Sequence, residues 1–396
     1  MAFIKFLSSR NIRILCFSFL LFCICTAIGF FIAKGKTLWR DEIYTQLASV
    51  EDLSYADIIL FRIKEGNICP LYYLIQKSIC AILHYRLPEE VDTEYWTFKN
   101  PRAQIILRIN PILFTSLAIT LIFAFFAWGY SFFWGIYSII VSMSSFMIWA
   151  YWAEARPYGL FMFLTTIQTI FFLQLLREDN IKTVHFLVFL VINILLSLCS
   201  IFSIIQIVTT AIILCKKFPR LYKKVLATAA FPSSICVIYY IHSPHYQFWF
   251  KDGPLQLISA NIPKDRLLLL IILGIYILLQ YILGRRHSGQ IMFRRDKYSL
   301  MVSDFLLFTA LMLIGYMLVI LKFQLGANLL HEGFQISNRY FIGLTPIGII
   351  AFIISSIYLI KAHNNRVISV FIIIGLTVLL AFRIFRTFCL VKGILF

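Results

Sequence analysis

Acidic residues and arginines share two short polar stretches of the chain, each of which borders a long apolar run. Asp41 and Glu42 follow the first apolar run, and Glu154 and Arg156 lie between two later runs. A carboxylate can accept the proton of a hydroxyl group. A guanidinium group can hold a phosphate through two parallel hydrogen bonds, which suits arginine better than lysine. These residue types therefore indicate chemistry between a hydroxyl group and a phosphate ester.

Two further arginines and three tyrosines are candidates for binding a substrate. Arg108 stands at the start of the second long apolar run, and Arg339 and Tyr340 open a late one. Tyr158 follows Arg156 closely, and Tyr72 lies in a short apolar stretch. Each has a simpler interpretation, because arginines at a membrane edge extend their charged ends to water and tyrosines form interfacial belts. Asp and Glu residues also favour the first turn of any helix.

The composition indicates a membrane protein with many spans. Of the 396 residues, 61% are hydrophobic and 14% are charged, whereas an average soluble domain has about 45–50% and 25%. The apolar runs are continuous, which excludes an alternating β-barrel pattern and predicts an all-α fold. The net charge of +18 arises mainly from short loops between apolar runs, so it indicates membrane orientation and not nucleic-acid binding.

Eleven apolar runs have lengths suited to membrane-spanning helices. The first has no cleavage site for a signal peptidase and is predicted to remain as a span. The least certain pair is 184–200 and 202–215, because the turn between them is short and apolar. The predicted spans are 14–33, 105–128, 131–150, 158–176, 184–200, 202–215, 225–241, 267–283, 300–321, 340–360 and 367–385.

The basic loops predict a cytoplasmic N-terminus, because lysine and arginine concentrate on the cytoplasmic side of membrane proteins. This orientation makes residues 34–104 one large extracytoplasmic loop and 242–266 a second outer loop. Segment 71–85 is too short and too polar for a span, so it is expected to lie at the membrane interface. Residues 1–396 then form a single membrane domain without a separate soluble domain.

The spacing of Glu154 and Arg156 predicts that both side chains face one cavity. Pro157 disfavours a helical conformation at the preceding residue. An extended backbone places residues two apart on the same face. The acid and the cation could then contact the same substrate.

Three motifs in order resemble those of the GT-C glycosyltransferases, in the group of protein O-mannosyltransferases and aminoarabinose transferases. Residues 39–43 (WRDEI) are similar to the family's W-x-D-E motif, and 69–73 (CPLYY) to its P-P-L-Y-Y stretch. Residues 154–158 (EARPY) match its third motif without gaps, and Arg339–Tyr340 resemble a later R-Y pair. The likeness covers residues 14–176, with a weaker part near 335–350. The family's usual His-Pro-Pro is Ile68-Cys69-Pro70 here, so the histidine is absent.

The resemblance implies a GT-C-like bundle that transfers a sugar from a polyprenyl-phosphate donor to a glycan, lipid or protein acceptor. Asp41 would be the general base, Glu42 would position Asp41 or the acceptor, and Glu154 would be a second acid and a candidate metal ligand. Some GT-C enzymes use a divalent metal ion and others do not, so this cofactor stays open. The implied location is a bacterial inner membrane, with the site on the extracytoplasmic side. The donor-binding residues would be Arg156, Tyr158, Arg108, Arg339, Tyr340 and Tyr72.

Two other classes stay open at this level. A transporter or flippase predicts ionisable groups in the middle of the membrane and internal repeats, and neither is evident. A lipid-linked polymerase or ligase usually carries its long outer loop late in the chain, whereas here the longest loop follows the first span.

Overall fold

The computed structural model of the chain is helical throughout the residues that it describes. Among these residues there is no β-strand; the one bridge of strand type joins Leu38 to Phe98. Most of the predicted span 267–283 and parts of the loops 34–104 and 242–266 lie outside the described residues. The described residues are 9–65, 68–87, 98–243, 254–264, 266–268, 270–271, 274–275, 297–330, 338–362 and 366–395.

The first half of the chain contains a long first helix, several short helices and then a group of membrane-length helices. A π-helical segment, Thr45–Glu51, continues directly from the second helix. The α-helices are α1 (Ser9–Gly35), α2 (Arg40–Tyr44), α3 (Tyr55–Ile59), α4 (Leu71–Ile82), α5 (Pro101–Ile106), α6 (Ile109–Gly129), α7 (Phe132–Met143), α8 (Phe146–Tyr151) and α9 (Tyr158–Arg177).

The second half is built mainly from longer helices, with 3₁₀ turns at Pro219–Leu221 and Asn338–Phe341. Residues 264–275 are helical where they are described. The labelled α-helices are α10 (Thr183–Ser197), α11 (Ser203–Lys217), α12 (Tyr222–His242), α13 (Pro254–Asn261), α14 (Lys297–Leu330), α15 (Leu344–Ala362) and α16 (Arg366–Leu395).

Six helical segments of the described residues are long and apolar enough to cross a membrane, so the chain is an integral membrane protein. Several of the other predicted spans are helices of different length. Run 131–150 is divided into α7 and α8, which have 12 and 6 residues, and α10 and α11 have 15 residues each. The six segments are Arg10–Gly35, Pro101–Gly129, Tyr158–Arg177, Pro219–His242, Tyr298–Lys322 and Leu344–Lys361.

Helix α4 is the segment predicted to lie at the interface. Its 12 residues give a length of about 18 Å, which is well short of a membrane. Tyr72 and Tyr73 are fully buried, and Gln76 donates a hydrogen bond to the carbonyl of Leu107 at 3.0 Å. The helix is therefore packed into the protein, and Gln76 fixes it to the backbone just before α6.

Helices α6 and α9 pack closely and bring two of the sequence motifs together. A Cβ atom on Gly159 would lie 2.7 Å from the carbonyl oxygen of Pro111 and 2.9 Å from its Cα. Backbone atoms cannot move aside as a flexible side chain can, so glycine permits this approach. The start of α9, just after Arg156, is thereby held against the start of α6, just after Arg108.

Candidate functional site

Four acids and four basic residues meet at one end of the bundle, where α1 ends and α6 and α9 begin. Each acid has one basic partner, although the partners are distant in sequence. This arrangement brings together Asp41, Glu42, Glu154, Arg108, Arg156 and Arg339, which the sequence analysis selected. The pairs are Lys36–Glu154 at 3.6 Å, Arg108–Glu42 at 2.6 Å, Arg156–Glu65 at 2.5 Å and Arg339–Asp41 at 2.8 Å.

The Arg108–Glu42 pair is fully buried, and every N–H of the guanidinium group has an acceptor. Nε and Nη2 donate to the two carboxylate oxygens of Glu42 at 2.9 and 2.6 Å. The remaining N–H groups donate to the carbonyls of Ala33 at 3.0 Å, Thr37 at 2.9 Å, and Lys36. An arginine has five N–H donors, so none is left for a phosphate. Arg108 binds the carboxyl end of α1, where a helix favours positive charge.

Glu42 joins two of the sequence motifs through the same carboxylate. Its Oε1 accepts the backbone N–H of Ala155 at 2.6 Å, and its Oε2 accepts that of Trp39 at 3.3 Å. Together with Arg108, these contacts fix residues 39–43 against residues 154–158. The carboxylate is 0% exposed, so Glu42 positions other groups and offers no accessible oxygen to a substrate.

Arg156 has hydrogen-bond acceptors for its Nη1 but not for its Nε among the described residues. Its Nη1 donates to Glu65 at 2.5 Å, to the hydroxyl of Thr45, and to the backbone carbonyl of Asp41 at 3.4 Å. Its Nε is buried and has no hydrogen-bond partner among the residues that the structure describes. Unlike Arg108, Arg156 therefore retains an unused donor at the site.

Glu65 is one of three site residues that sequence reasoning missed, the others being Lys36 and Tyr73. It is buried, and its second oxygen accepts the hydroxyl of Ser49 at 2.7 Å. Its position shortly before residues 69–73 was the available signal. The pairing with Arg156 spans 91 residues of sequence, so no local pattern could identify it.

The stretch between Glu154 and Arg156 is a tight turn and not the extended segment predicted from Pro157. The backbone N–H of Arg156 donates to the carbonyl of Glu154 at 2.6 Å, which is the three-residue hydrogen bond of a γ-turn. Pro157 caps α9. The turn directs the two side chains to different partners, Lys36 and Glu65.

Glu154 is a buried acid with one free oxygen. Its Oε2 lies 3.6 Å from Lys36, and its Oε1 has no hydrogen-bond partner. Burial raises the pKa of this carboxyl group from its usual value near 4.5 to about 7, and Lys36 opposes the rise. The side chain therefore changes protonation near neutral pH, as acid–base groups in active sites often do.

Asp41 is the most accessible of the four acids, with 28% of its side chain exposed. Its partner Arg339 lies over the rings of Trp39 and Tyr340, with its guanidinium carbon 5.3 and 5.7 Å from the ring centroids. The Nε of Arg339 is buried without a hydrogen-bond partner. Like Arg156, it retains an unused donor.

A cleft of about 380 Å³, including its open mouth, lies beside these two arginines. Its cavity volume without the open mouth is only about 20 Å³, room for about one water molecule, so a larger group could enter only if lining side chains move. Tyr158 and Tyr340, two of the predicted candidates, line the cleft, and the tyrosine that lines it from α4 is Tyr73 and not the predicted Tyr72. The lining residues are Tyr73, Arg156, Pro157, Tyr158, Phe161, Ser200, Phe202, Arg339 and Tyr340.

Glu154 is the residue that the resemblance offers as a metal ligand. Within the residues that the structure describes, no group of three or more His, Cys, Asp or Glu side chains is arranged to hold a metal ion. Asp41, Glu42, Glu65 and Glu154 instead each contact a separate basic residue.

Comparison with known protein families and with characterised proteins finds no match to the chain.

Proposed function

We propose that the protein is a membrane glycosyltransferase that moves a sugar from a polyprenyl-phosphate donor to an acceptor hydroxyl. The observation that carries this proposal is the cleft lined by Arg156 and Arg339, each with a buried Nε that has no hydrogen-bond partner in the described part of the chain. Two guanidinium groups with spare donors suit a phosphate. The start of α9 adds the positive end of a helix dipole.

The proposed reaction is a single displacement. Asp41, the accessible carboxylate, takes the proton of the acceptor hydroxyl while that oxygen forms a bond to the anomeric carbon of the sugar. The bond from this carbon to the phosphate oxygen breaks, and its electron pair stays with the polyprenyl phosphate. Arg156 and Arg339 bind the phosphate and stabilise the charge that develops on it. Tyr158 and Tyr340 line the path of the donor.

The other predicted residues have supporting roles in this proposal. Glu42 and Arg108 hold the Asp41 backbone and the 154–156 turn in place, since both side chains are saturated and buried. Glu154 is a second acid close to the cleft, and a divalent metal ion bound there is not required by the mechanism. Tyr72 supports the fold beneath Tyr73.

The orientation in this proposal has the N-terminus in the cytoplasm and the cleft on the outer side of a bacterial inner membrane. The bundle is GT-C-like and crosses the membrane about eleven times, with helices α2 to α5 forming an outer layer. The distribution of basic loops supports this orientation. A cysteine introduced at the exposed Ser54 should react with a membrane-impermeant reagent from outside; protection there would overturn it.

The buried amides of the bundle favour an enzyme over a transporter. Gln168 donates to Asn193 at 2.6 Å, and Asn193 donates to the carbonyl of Thr228 at 2.9 Å. Such neutral, paired groups are typical of contacts between membrane helices. The buried Arg266 is charged and donates to the carbonyl of Val141 at 3.0 Å and to the hydroxyl of Ser144, at the break after α7, while its Nε has no hydrogen-bond partner among the described residues.

A donor trial tests the proposal directly. Purified protein would be incubated with polyprenyl phosphates that carry different radiolabelled sugars, together with membrane extracts as the source of acceptor. We expect one donor to lose its label to an acceptor, with release of polyprenyl phosphate. Absence of transfer and of donor binding across the series would refute the glycosyltransferase.

A further inference from the structure

We infer that Asp41 and the donor phosphate compete for Arg339, so that binding of the donor releases Asp41 to act as a base. The inference rests on the proposed function and adds to it an order of events. The Asp41 carboxylate contacts Arg339 at 2.8 Å, while Arg339 also lines the cleft next to Arg156. One guanidinium group thus faces both the base and the phosphate site.

The aspartate, and not the arginine, is free to move. Arg339 is held over the rings of Trp39 and Tyr340, and its side chain is 20% exposed. The Asp41 backbone is also held, because its carbonyl accepts Arg156 at 3.4 Å and the adjacent Glu42 is fully bonded. The Asp41 side chain is the more exposed partner and has no other acceptor role among the described contacts. A change of side-chain rotamer is enough to separate the pair.

The exchange has a chemical consequence. While the pair exists, one carboxylate oxygen of Asp41 is held against the Arg339 guanidinium group, so it is not available to an acceptor hydroxyl. A phosphate on Arg339 compensates the guanidinium charge and frees the carboxylate, which can then accept the acceptor's proton. Donor binding would precede acceptor activation, and water would not be activated at an empty site.

The competition makes an unusual prediction for Asp41→Asn. This variant should lose turnover and yet bind the phosphate more tightly than the natural protein. Partly exposed ion pairs contribute up to about 1 kcal/mol, so the dissociation constant should fall about fivefold. In an Arg339→Gln background, Asp41→Asn should change the dissociation constant little, because the guanidinium group for which Asp41 and the phosphate compete is absent.

The test measures binding of polyprenyl monophosphate to the full-length protein in lipid nanodiscs, with the corresponding polyprenol as a phosphate-free reference. Asp52→Asn is the matched control, because it removes one exposed carboxylate of the same loop without touching Arg339. The inference requires tighter binding for Asp41→Asn, no gain for Asp52→Asn, and loss of the gain in the Arg339→Gln background.

The outcomes separate the two proposals. If the natural protein prefers the phosphate over the alcohol but Asp41→Asn binds no more tightly, the competition is wrong and the proposed function stands. An equal gain for Asp52→Asn, or a gain that persists with Arg339→Gln, would show that the tighter binding results from the change in net charge. Either result would also overturn the competition. If the natural protein shows no preference for the phosphate, both proposals fall.

Discussion

The buried arginines of the site differ in how many of their N–H groups have a hydrogen-bond acceptor. Arg108 donates all five of its N–H groups within the protein and is fully buried. Arg156 and Arg339 each pair with one acid but keep a buried Nε without a partner, and both border the cleft. A saturated arginine stabilises the fold, whereas an unsaturated one can still bind a ligand. Burial alone does not distinguish them.

The largest expected effect is on stability at the saturated site. Arg108→Met leaves Glu42 buried without its cation, and breaking one side of a buried pair typically costs about 3–5 kcal/mol. We expect a clear fall in the free energy of unfolding, measured by denaturant in detergent. Arg102→Met, an exposed arginine of α5, is the control and should change little. Loss of donor binding at unchanged stability would instead move Arg108 to the phosphate site.

The next largest effect is expected on turnover, at the site beside Arg156 and Arg339. Asp41→Asn keeps the shape of the side chain but removes the proton acceptor, so turnover should fall about 10²-fold or more. Its melting temperature should stay close to that of the natural protein, because the Asp41–Arg339 pair is partly exposed. Single-turnover transfer of a labelled sugar measures this. Near-native turnover would exclude Asp41 as the base.

The third expected effect is on the pH dependence of stability and concerns Glu154. The folded protein binds the proton of the Glu154 carboxyl group more tightly than the unfolded chain does. The contribution of Glu154 to the free energy of unfolding is therefore greatest at low pH and decreases as pH rises from about 4.5 to about 7. Glu154→Gln mimics the protonated form and should reduce the loss of melting temperature between pH 5 and pH 8. Glu178→Gln, at an exposed position, is the control. An unaltered pH profile in Glu154→Gln would show that Glu154 is ionised throughout.

The smallest effect is expected for Arg156→Lys. A lysine can still approach Glu65, so the melting temperature should remain within a few degrees, but the planar set of donors is lost. Affinity for polyprenyl phosphate should fall by about fivefold to tenfold. Arg156→Ala is a poorer test, because it leaves Glu65 buried without a cation and should destabilise the protein. Native affinity in Arg156→Lys would place Arg156 with Arg108 among the structural arginines.

Much of the architecture follows from local sequence. Long apolar runs such as 105–128 give helices because only a helix satisfies its own backbone in a membrane. Asn100 and Pro101 start α5, where Asn100 accepts the N–H of Arg102 at 2.9 Å, as expected for a capping residue followed by proline. The division of 131–150 was not predicted, because apolar character continues through the break and the Ser144–Ser145 pair is a weak signal.

The residues of the site, like the architecture, were predicted from the sequence only in part. The sequence by itself selected Asp41, Glu42, Arg156 and Arg339, because acids and arginines next to apolar runs are costly unless they are used. Only the tertiary structure decided their roles. Asp41 and Glu42 are neighbours in α2, and adjacent helical side chains point about 100° apart, so one contacts Arg339 at the cleft and the other contacts Arg108. Which one does so depends on the packing of α2 against helices distant in sequence, and local spacing carries no information about that packing.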